Sequence, residues 1–304
     1  MSIKVFYHGQ DLDGWASGAI VKHKFPEAEM FPINYGDKFP FNEIGVNDIV
    51  YMVDFSLPAL DMQEINGRCD LNLIWIDHHI GAIRDYEQNG LFTLLGLRES
   101  RVAACELTWK YFYTNKEAPI FIKLLSCYDI WSHNDKEFDW ASIEAFQYGF
   151  KAQARNPKED MEFWENWFTT AAMNTKDQLS LVKSVSADGK LIQSYIEDRF
   201  ETTLKDRSFK IDWEGCKCLV INSDPYIANF MTRSKEFEGC DIAINYANRK
   251  GESWEVSLRT LRDEIDLSVL AKEYGGGGHR ASAGFNWIPR SLPWDYLGVK
   301  INGD

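Results

Sequence analysis

Aspartate and histidine residues form short clusters in the first half of the chain, and their types suit the binding of divalent metal ions. The residues are His8, Asp11, Asp13, Asp54, Asp77, His78, His79 and Asp129. Carboxylate oxygens are preferred ligands of Mg²⁺ and Mn²⁺, and imidazole nitrogens shift the preference toward Mn²⁺ and other transition metals. Two such ions held roughly 3.5 to 4 Å apart can activate a water molecule and stabilise both the attacking and the leaving oxygen of a phosphate ester. We therefore predict a phosphoesterase centre with two divalent ions, Mn²⁺ by preference, with Mg²⁺ or Co²⁺ as alternatives.

Each cluster also has a structural explanation when it is taken alone. Asp11-Leu12-Asp13-Gly14 is compatible with a turn that caps the following helix. Asp54 can cap a helix that begins near Leu57, and Asp129 can end one. The Asp77-His78-His79 triplet is harder to explain in this way, because exposed strand ends seldom need two adjacent histidines for packing. The predicted metal site therefore depends on the clusters converging in space.

Three β-rich segments lie directly before or within these clusters and alternate with helical patterns, which is typical of a parallel sheet with crossover helices. The predicted strands cover residues 3–7, 48–54 and 71–77, and a helix over 14–24 follows the first of them. In open α/β sheets the ligand lies outside the carboxyl ends of the strands. The three strands would therefore deliver the aspartates and histidines to one rim of the sheet.

The chain changes from mainly helical to β-rich character after about residue 206. Residues 158–205 are mainly helical, and short β-rich segments follow at 209–213, 218–222, 241–248 and 254–259. An amphipathic helix is predicted over 267–274. We therefore predict an α/β protein in which a smaller mixed-sheet domain follows a parallel-sheet domain with crossover helices. The predicted limits are 1–190 for the catalytic domain, 191–206 for a helical linker and 207–304 for the second domain.

A glycine run near the end of the chain has the properties of an anion-binding segment. It consists of Gly275, Gly276, Gly277 and Gly278, followed directly by His279. Glycine allows backbone angles and close approaches that other residues do not, so consecutive N–H groups can form a concave anion site. His279 and Arg259 would add charge-assisted donors. We predict that this segment binds substrate, with a flexible loop as the alternative.

Together, these motifs resemble the DHH phosphoesterase family with its DHH-associated C-terminal domain, in particular its nanoRNase or oligoribonuclease-like members. The matching motifs follow the family's order along nearly the whole chain: His8-Gly9-Gln10-Asp11-Leu12-Asp13-Gly14, Val53-Asp54, Asp77-His78-His79, Cys127-Tyr128-Asp129, and Ser257-Leu258-Arg259 with Gly275 to His279 and Ala283-Gly284. The chain departs from the pattern at one place, because the spacing between His8 and Asp11 is one residue shorter than in several members.

The resemblance implies a role for each residue of the predicted centre. It assigns one ion to three ligands, His8, Asp11 and Asp54. It assigns the second ion to four ligands, Asp13, Asp54, His78 and Asp129. Asp54 would then bridge the ions, and Asp77 would orient an imidazole by hydrogen bonding, as carboxylates near metal ligands commonly do. His79 would face the scissile phosphate as a general acid or an electrostatic stabiliser. In the family, the C-terminal domain holds the nucleotide far from the cleaved bond.

The charge of the chain restricts its partners. The 304 residues carry a formal net charge of −13, whereas nonspecific binding to nucleic acid depends on Lys and Arg. We therefore expect no long duplex DNA partner, while a short anionic substrate is compatible with acidic side chains gathered around cations. No secretory signal pattern and no apolar run of about 18 residues occurs. We expect a cytoplasmic protein without a membrane partner. Whether the chain forms a homodimer is left open.

The function predicted from these observations is Mn²⁺-dependent hydrolysis of short oligonucleotides to nucleoside monophosphates. Two enzymatic alternatives share the same motifs: a phosphodiesterase for cyclic or linear dinucleotides, and a 3′-phosphoadenosine phosphate phosphatase. A nucleotide-binding sensor without catalysis is the non-enzymatic alternative. The intact set of metal ligands favours an enzyme, because a sensor has no obvious need for all of them.

Overall fold

A parallel sheet of four strands organises the N-terminal part of the chain, which confirms the predicted α/β class. The strands lie in the order β2-β1-β3-β4, and they are β1 (Ile3–His8), β2 (Glu29–Ile33), β3 (Ile49–Val53) and β4 (Leu73–Ile76). The order reverses at β1, because β2 lies on one side of β1 and β3 on the other. Ligands of open sheets bind at such a switch point, outside the carboxyl ends of the strands. The ends of β1 and β3 are therefore where a site is expected.

Helices cover both faces of this sheet. They are α1 (Leu12–Lys24), α2 (Ala59–Arg68), α3 (Ile80–Asn89) and α4 (Ala104–Phe112). Successive side chains of a strand point to opposite faces. Accordingly, Val5 and Tyr7 pack with α1 and α4, whereas Phe6 packs with α2 and α3. The strands are apolar almost throughout because neither face is open to water.

The sequence pattern does not predict β2, and Pro32 is the physical reason. Proline lacks the N–H that a strand donates to its neighbour, so it argues against a central strand. Strand β2 is at the edge of the sheet, where only β1 pairs with it. Pro32 lies opposite Tyr7 in that pairing and needs no partner on its other side. The edge position therefore explains why the strand forms.

Further helices follow the sheet. Three of them are α5 (Ile120–Asp129), α6 (Trp140–Gln153) and α7 (Met161–Phe168), and they share an aromatic core with α1. Helix α8 (Thr175–Arg207) then runs without a break for 33 residues. In the part of the chain that the structure describes, no helix is both long enough and apolar enough to span a bilayer.

The computed structural model describes residues 2–223, 228–249 and 253–288. It divides the chain into two compact units, Met1–Ile192 and Gln193–Asp304, and the division falls within α8. The predicted linker over 191–206 lies in the second half of this helix, which begins earlier, at Thr175. The predicted domain limits stay a prediction, and residues 289–304 of the predicted second domain lie outside the described residues.

The second unit contains a mixed sheet, as predicted. Its strands are β5 (Phe209–Trp213), β6 (Cys216–Asn222), β7 (Ile242–Arg249), β8 (Ser253–Arg259), β9 (Gly277–His279) and β10 (Ser282–Trp287). The strand order is β5-β6-β7-β8-β10-β9, with β6 and β7 parallel and the other pairs antiparallel. After α8, the described part of this unit contains two short α-helices, α9 (Ala228–Met231) and α10 (Leu267–Glu273).

Candidate metal centre

The first donor cluster lies between the end of β1 and the start of α1. Asp11 is the N-cap of α1, and its Oδ1 accepts a hydrogen bond from the Gly14 N–H at 2.9 Å. A Cβ atom at Gly14 would lie 2.2 Å from the His8 carbonyl oxygen, so only glycine allows the helix to begin this close to the strand. The other Asp11 oxygen, Oδ2, lies 2.7 Å from His8 Nδ1. Asp11 therefore caps the helix and faces His8 at the same time.

Two residues that sequence patterns did not indicate hold the loop between His8 and Asp11. The indole Nε1 of Trp15 donates to the Gly9 carbonyl oxygen at 2.7 Å. Lys151, from α6, donates to the Gln10 carbonyl oxygen at 3.0 Å and lies 3.7 Å from the centroid of the Trp15 ring. No local pattern could have identified Lys151, because it is 141 positions from Gln10 in sequence.

Asp54 lies at the centre of the donor arrangement. It follows β3 with a φ of 53°, in the left-handed region that aspartate adopts more readily than most residues. Its Oδ2 lies 3.8 Å from His8 Nδ1, and its Oδ1 lies 3.4 Å from His78 Nε2. The residue is almost fully buried. Asp54 thus faces both histidines from a backbone conformation that costs about 1 kcal/mol or more.

Three carboxylates surround the His78 ring. Its Nε2 lies 3.5 Å from Asp13 Oδ2, 3.4 Å from Asp54 Oδ1 and 3.2 Å from Asp129 Oδ2. Asp129 is the last residue of α5. The Asp13 carboxylate also accepts the Ala104 and Cys105 N–H groups, at 2.9 and 2.7 Å, and so binds the N-terminus of α4. The structure therefore brings together residues that are more than 100 positions apart in sequence.

Asp77 orients His79 rather than His78. Its Oδ1 accepts from the His79 Nδ1 at 2.7 Å and from the backbone N–H groups of His78 and His79 at 2.7 and 3.1 Å. Its Oδ2 accepts from Trp75 Nε1 at 3.1 Å. These four hydrogen bonds hold the Asp77 carboxylate against its neighbours, and its donor atom also lies within 4.8 Å of donor atoms of Asp54 and His79.

The electrostatics of the pocket favour the uptake of cations. Burial and the charges of Asp13 and Asp11 raise the pKa values of Asp54 and Asp129 well above their ordinary value. Asp54 Oδ1 and Asp129 Oδ2 are buried and accept no hydrogen bond from the described part of the chain. Buried carboxylates without donors are destabilising unless a cation is present. Burial also lowers the pKa of His78, which keeps the imidazole in the neutral form that binds metal. This donor set therefore fits divalent ions.

The pKa of His79 shifts in the opposite direction to that of His78. Burial acts to lower its pKa, but the charge of Asp77 and the hydrogen bond to it outweigh this effect and raise the pKa to about 9. Burial acts in the same way on His8, and the Asp11 carboxylate beside it raises the pKa of that ring. The two adjacent histidines of the triplet are thus a neutral ring and a protonated ring near pH 7.

The predicted substrate-binding residues lie in the second unit, and the structure gives them two different settings. Gly275 and Gly276 end helix α10, because their N–H groups donate to the carbonyl oxygens of Lys272 at 3.0 Å and Ala271 at 2.8 Å. Gly277 and Gly278 belong to β9 with His279. The run is therefore divided between the turn that ends α10 and strand β9, and its first two amides are used in that turn.

Arg259 and His279 lie in one row across the second sheet. Arg259 of β8 is opposite Ser282 of β10, and Ser282 is opposite His279 of β9. Side chains that are directly opposite each other share a face of the sheet. Arg259 and His279, both predicted to bind substrate, therefore share a face, two strands apart, and their role stays a prediction.

Comparison with known proteins identifies distant relatives. No model of a protein family matches the chain. The chain is 24% identical over 321 residues to the uncharacterized protein R106 of Acanthamoeba polyphaga mimivirus, covering 96% of this chain and 69% of that protein. It is 24% identical over 326 residues to the oligoribonuclease NrnB of Bacillus subtilis, covering 91% and 71%. A solved structure of the pGpG-specific phosphodiesterase PggH from Vibrio cholerae is similar with a TM-score of 0.47 and 12% identity, over 98% of this chain and 96% of that one.

Proposed function

We propose that this chain is a DHH-family phosphoesterase that hydrolyses short oligonucleotides to nucleoside monophosphates with two divalent metal ions. One observation carries the proposal: of the three donor groups in the described part of the chain that share Asp54, two consist of residues predicted to hold the two ions. In the first group, His8, Asp11 and Asp54, and in the second, Asp13, Asp54 and His78, all donor atoms lie within 4.8 Å of one another. A carboxylate shared between two donor groups is what a pair of adjacent ions requires.

The two donor groups differ little in chemistry, and both combine carboxylates with one imidazole. We assign the first ion to His8, Asp11 and Asp54, and the second to Asp13, Asp54, His78 and Asp129. Mixed oxygen and nitrogen donors favour Mn²⁺ over Mg²⁺. When bound, such ions supply a hydroxide at neutral pH and stabilise the charge that develops on the phosphate oxygens.

The protein's own contribution to the reaction centres on His79. Its Nδ1 is held by Asp77, at 2.7 Å, so the second proton of the imidazolium is on Nε2. In the protein without metal, burial acts to lower the pKa of this ring, but the Asp77 charge and the hydrogen bond to it raise the pKa to about 9, which favours the protonated ring. We infer that His79 donates the Nε2 proton to the leaving oxygen, or stabilises negative charge there. Burial acts to raise the pKa of Asp77, but the charge of His79 lowers it below its ordinary value. Asp77 therefore stays ionised and keeps accepting the hydrogen bond that orients the His79 ring.

Two observations support an oligonucleotide as the substrate. The similarity to an oligoribonuclease extends over 91% of this chain, and so includes parts of both units. The second unit carries Arg259 and His279 on one face of its sheet, and we propose that they hold a phosphate that is not cleaved. The net charge of −13 disfavours long polyanions.

The test is a cleavage assay with purified protein, Mn²⁺ and labelled RNA of two to seven nucleotides. We expect release of nucleoside monophosphates. Parallel reactions with a cyclic dinucleotide and with 3′-phosphoadenosine phosphate test the alternatives. No cleavage of any RNA would refute the proposal, and a higher kcat/KM for 3′-phosphoadenosine phosphate would favour a phosphatase. Tight nucleotide binding without turnover would favour a sensor.

The same assay tests the second unit. Arg259→Ala should raise KM for the dinucleotide while the affinity for Mn²⁺ stays unchanged. Arg262→Ala is the matched control, because it removes a half-exposed positive charge from the same unit, where it pairs with Asp241 and Glu264. Equal kinetics of both variants would contradict a substrate-binding role for Arg259.

A further inference from the structure

Each of the four parallel strands delivers residues to the rim where the donors lie, and β2 delivers Tyr35. Ile33, the last residue of β2, is opposite His8 at the end of β1. A tight turn follows, in which Asn34 N–H donates to Asp37 Oδ2 at 2.9 Å and Asp37 N–H donates to the Asn34 carbonyl oxygen at 3.0 Å. Tyr35 is within this turn. The turn therefore fixes Tyr35 beside the end of β1.

The Tyr35 ring lies next to both outer histidines of the centre. Its centroid is 5.7 Å from the His8 ring and 6.4 Å from the His79 ring, which it meets edge-on. It packs 4.8 Å from the Phe55 ring, tilted by 36°. Phe55 is buried, and it follows Asp54 directly. The Tyr35 ring therefore packs on a buried aromatic side chain that is adjacent in sequence to Asp54.

Tyr35 is nevertheless 49% exposed. The exposed part of the residue gains little for folding, because it buries no apolar surface. The same geometry suits stacking, because flat apolar rings of fixed orientation bind nucleobases without regard to sequence. The neighbouring carboxylates cannot supply such a surface, and the Tyr35 ring is larger and more apolar than the imidazoles beside it.

We propose that Tyr35 is a substrate-binding residue whose ring stacks on the nucleobase of a nucleotide adjoining the scissile phosphate. This inference rests on the proposed function, because it places a base next to the metal-bound phosphate. It adds a contact in the first unit to the anion site expected in the second. Stacking is sequence-tolerant, so all four bases should be accepted, with purines bound more tightly than pyrimidines.

The experiment combines two variants with substrates that lack a base. Wild type, Tyr35→Phe and Tyr35→Ala are compared on a diadenylate and on two analogues in which one or the other base is missing. We expect Tyr35→Ala to raise KM for the diadenylate about 10- to 100-fold with a smaller effect on kcat. Tyr35→Phe should resemble wild type. For the analogue that lacks the stacked base, wild type and Tyr35→Ala should have equal KM values, because the contact is absent from both.

Two controls exclude a structural explanation. Tyr195→Ala removes a tyrosine that is 63% exposed on α8 and should leave KM unchanged. Thermal melting and Mn²⁺ titration of Tyr35→Ala should match wild type, since a loss of folding or of metal would raise KM for every analogue alike. An equal increase in KM for all three substrates would overturn the proposal. So would a loss in Tyr35→Phe as large as in Tyr35→Ala, which would assign the effect to the hydroxyl.

Binding of AMP separates this inference from the proposed function. Calorimetry with AMP and Mn²⁺ needs no turnover, so it can be done whether or not any oligonucleotide is cleaved. We expect Tyr35→Ala to bind AMP about 10- to 100-fold more weakly than wild type. Equal affinities, or no AMP binding to wild type, would refute the role of Tyr35. Absence of RNA cleavage together with Tyr35-dependent AMP binding would refute only the proposed function.

Discussion

Replacement of Asp54 by Asn should stabilise the protein without metal and remove its stabilisation by metal. The Asn side chain has almost the same shape and tolerates the φ of 53° at this position at least as well. Burial and the surrounding carboxylates raise the pKa of Asp54. Ionisation of Asp54 therefore destabilises the folded state when no metal is bound. The variant removes this charge and leaves the backbone unchanged.

The size of the effect follows from the donor distances. Donor oxygens of Asp13 and Asp54 lie within 4.8 Å of each other, and two unit charges at that distance repel by about 3.5 kcal/mol at an effective dielectric constant of about 20. Proton uptake relieves part of this repulsion, so we expect a gain of about 2 kcal/mol. For a unit the size of Met1–Ile192, this corresponds to a rise in Tm of about 4 to 8 °C.

The gain should depend on pH with a definite sign. A carboxyl whose pKa is raised on folding has its full contribution to stability below its ordinary value of 3.8 and loses it as the pH rises through the folded pKa. The advantage of Asp54→Asn should therefore be largest at pH 8 and shrink toward pH 5. With Mn²⁺ at about 100 times its dissociation constant, wild type should gain about 2.7 kcal/mol and the variant should not. The order of the two melting temperatures would then reverse.

Asp77→Asn is the matched control with the opposite sign. Asp77 is also a buried aspartate after a neighbouring strand, but it accepts hydrogen bonds from Trp75, His78 and His79. Loss of its charge should lower the free energy of unfolding without metal by about 2 kcal/mol, and Tm should fall with it. Calorimetric melting of the three proteins in chelator and in Mn²⁺ is the measurement. A metal-free Asp54→Asn protein that melts at or below wild type would refute the electrostatic argument.

Two further predictions concern metal uptake. Since burial and neighbouring carboxylates raise the pKa values of Asp54 and Asp129, Mn²⁺ binding near pH 7 should release protons and become tighter as the pH rises. Titration calorimetry in two buffers of different ionisation enthalpy measures this, and identical heats would contradict it. Lys151→Met keeps the apolar stem but removes the donor to the Gln10 carbonyl oxygen. The substitution should lower the affinity for one of the two ions about 10- to 100-fold. Two unchanged affinities in the same titration would show that Lys151 does not position the loop.

The donors of the centre could be predicted because each follows a recognisable local pattern. His8, Asp54 and Asp77-His78-His79 come directly at the ends of apolar strands, and such strand ends meet at one rim in a parallel sheet. The contacts that support the donors could not be predicted in this way. Lys151 contacts the Gln10 carbonyl oxygen through α6, and nothing in the neighbourhood of Lys151 in sequence marks that contact.

Strand β2 shows how one missed element hides a functional residue. Pro32 argues against a strand in any window of sequence, and only the position of β2 at the edge of the sheet makes it acceptable. Without β2, Tyr35 is an ordinary turn residue between Asn34 and Gly36. With β2 paired to β1, the same tyrosine lies beside His8 and His79.

The sequence by itself determined the donor types, the α/β class and the change to a β-rich second half, because apolar periodicity and residue chemistry are local properties. Only the tertiary structure decided which donors lie close to one another. The order β2-β1-β3-β4 places Asp54 beside His8, and α5 brings Asp129 to within 3.2 Å of His78. It also decided that Asp77 orients His79 and that the glycine run is divided between a helix end and a strand. Distances between residues so far apart in the chain depend on strand order and helix packing, which local patterns do not encode.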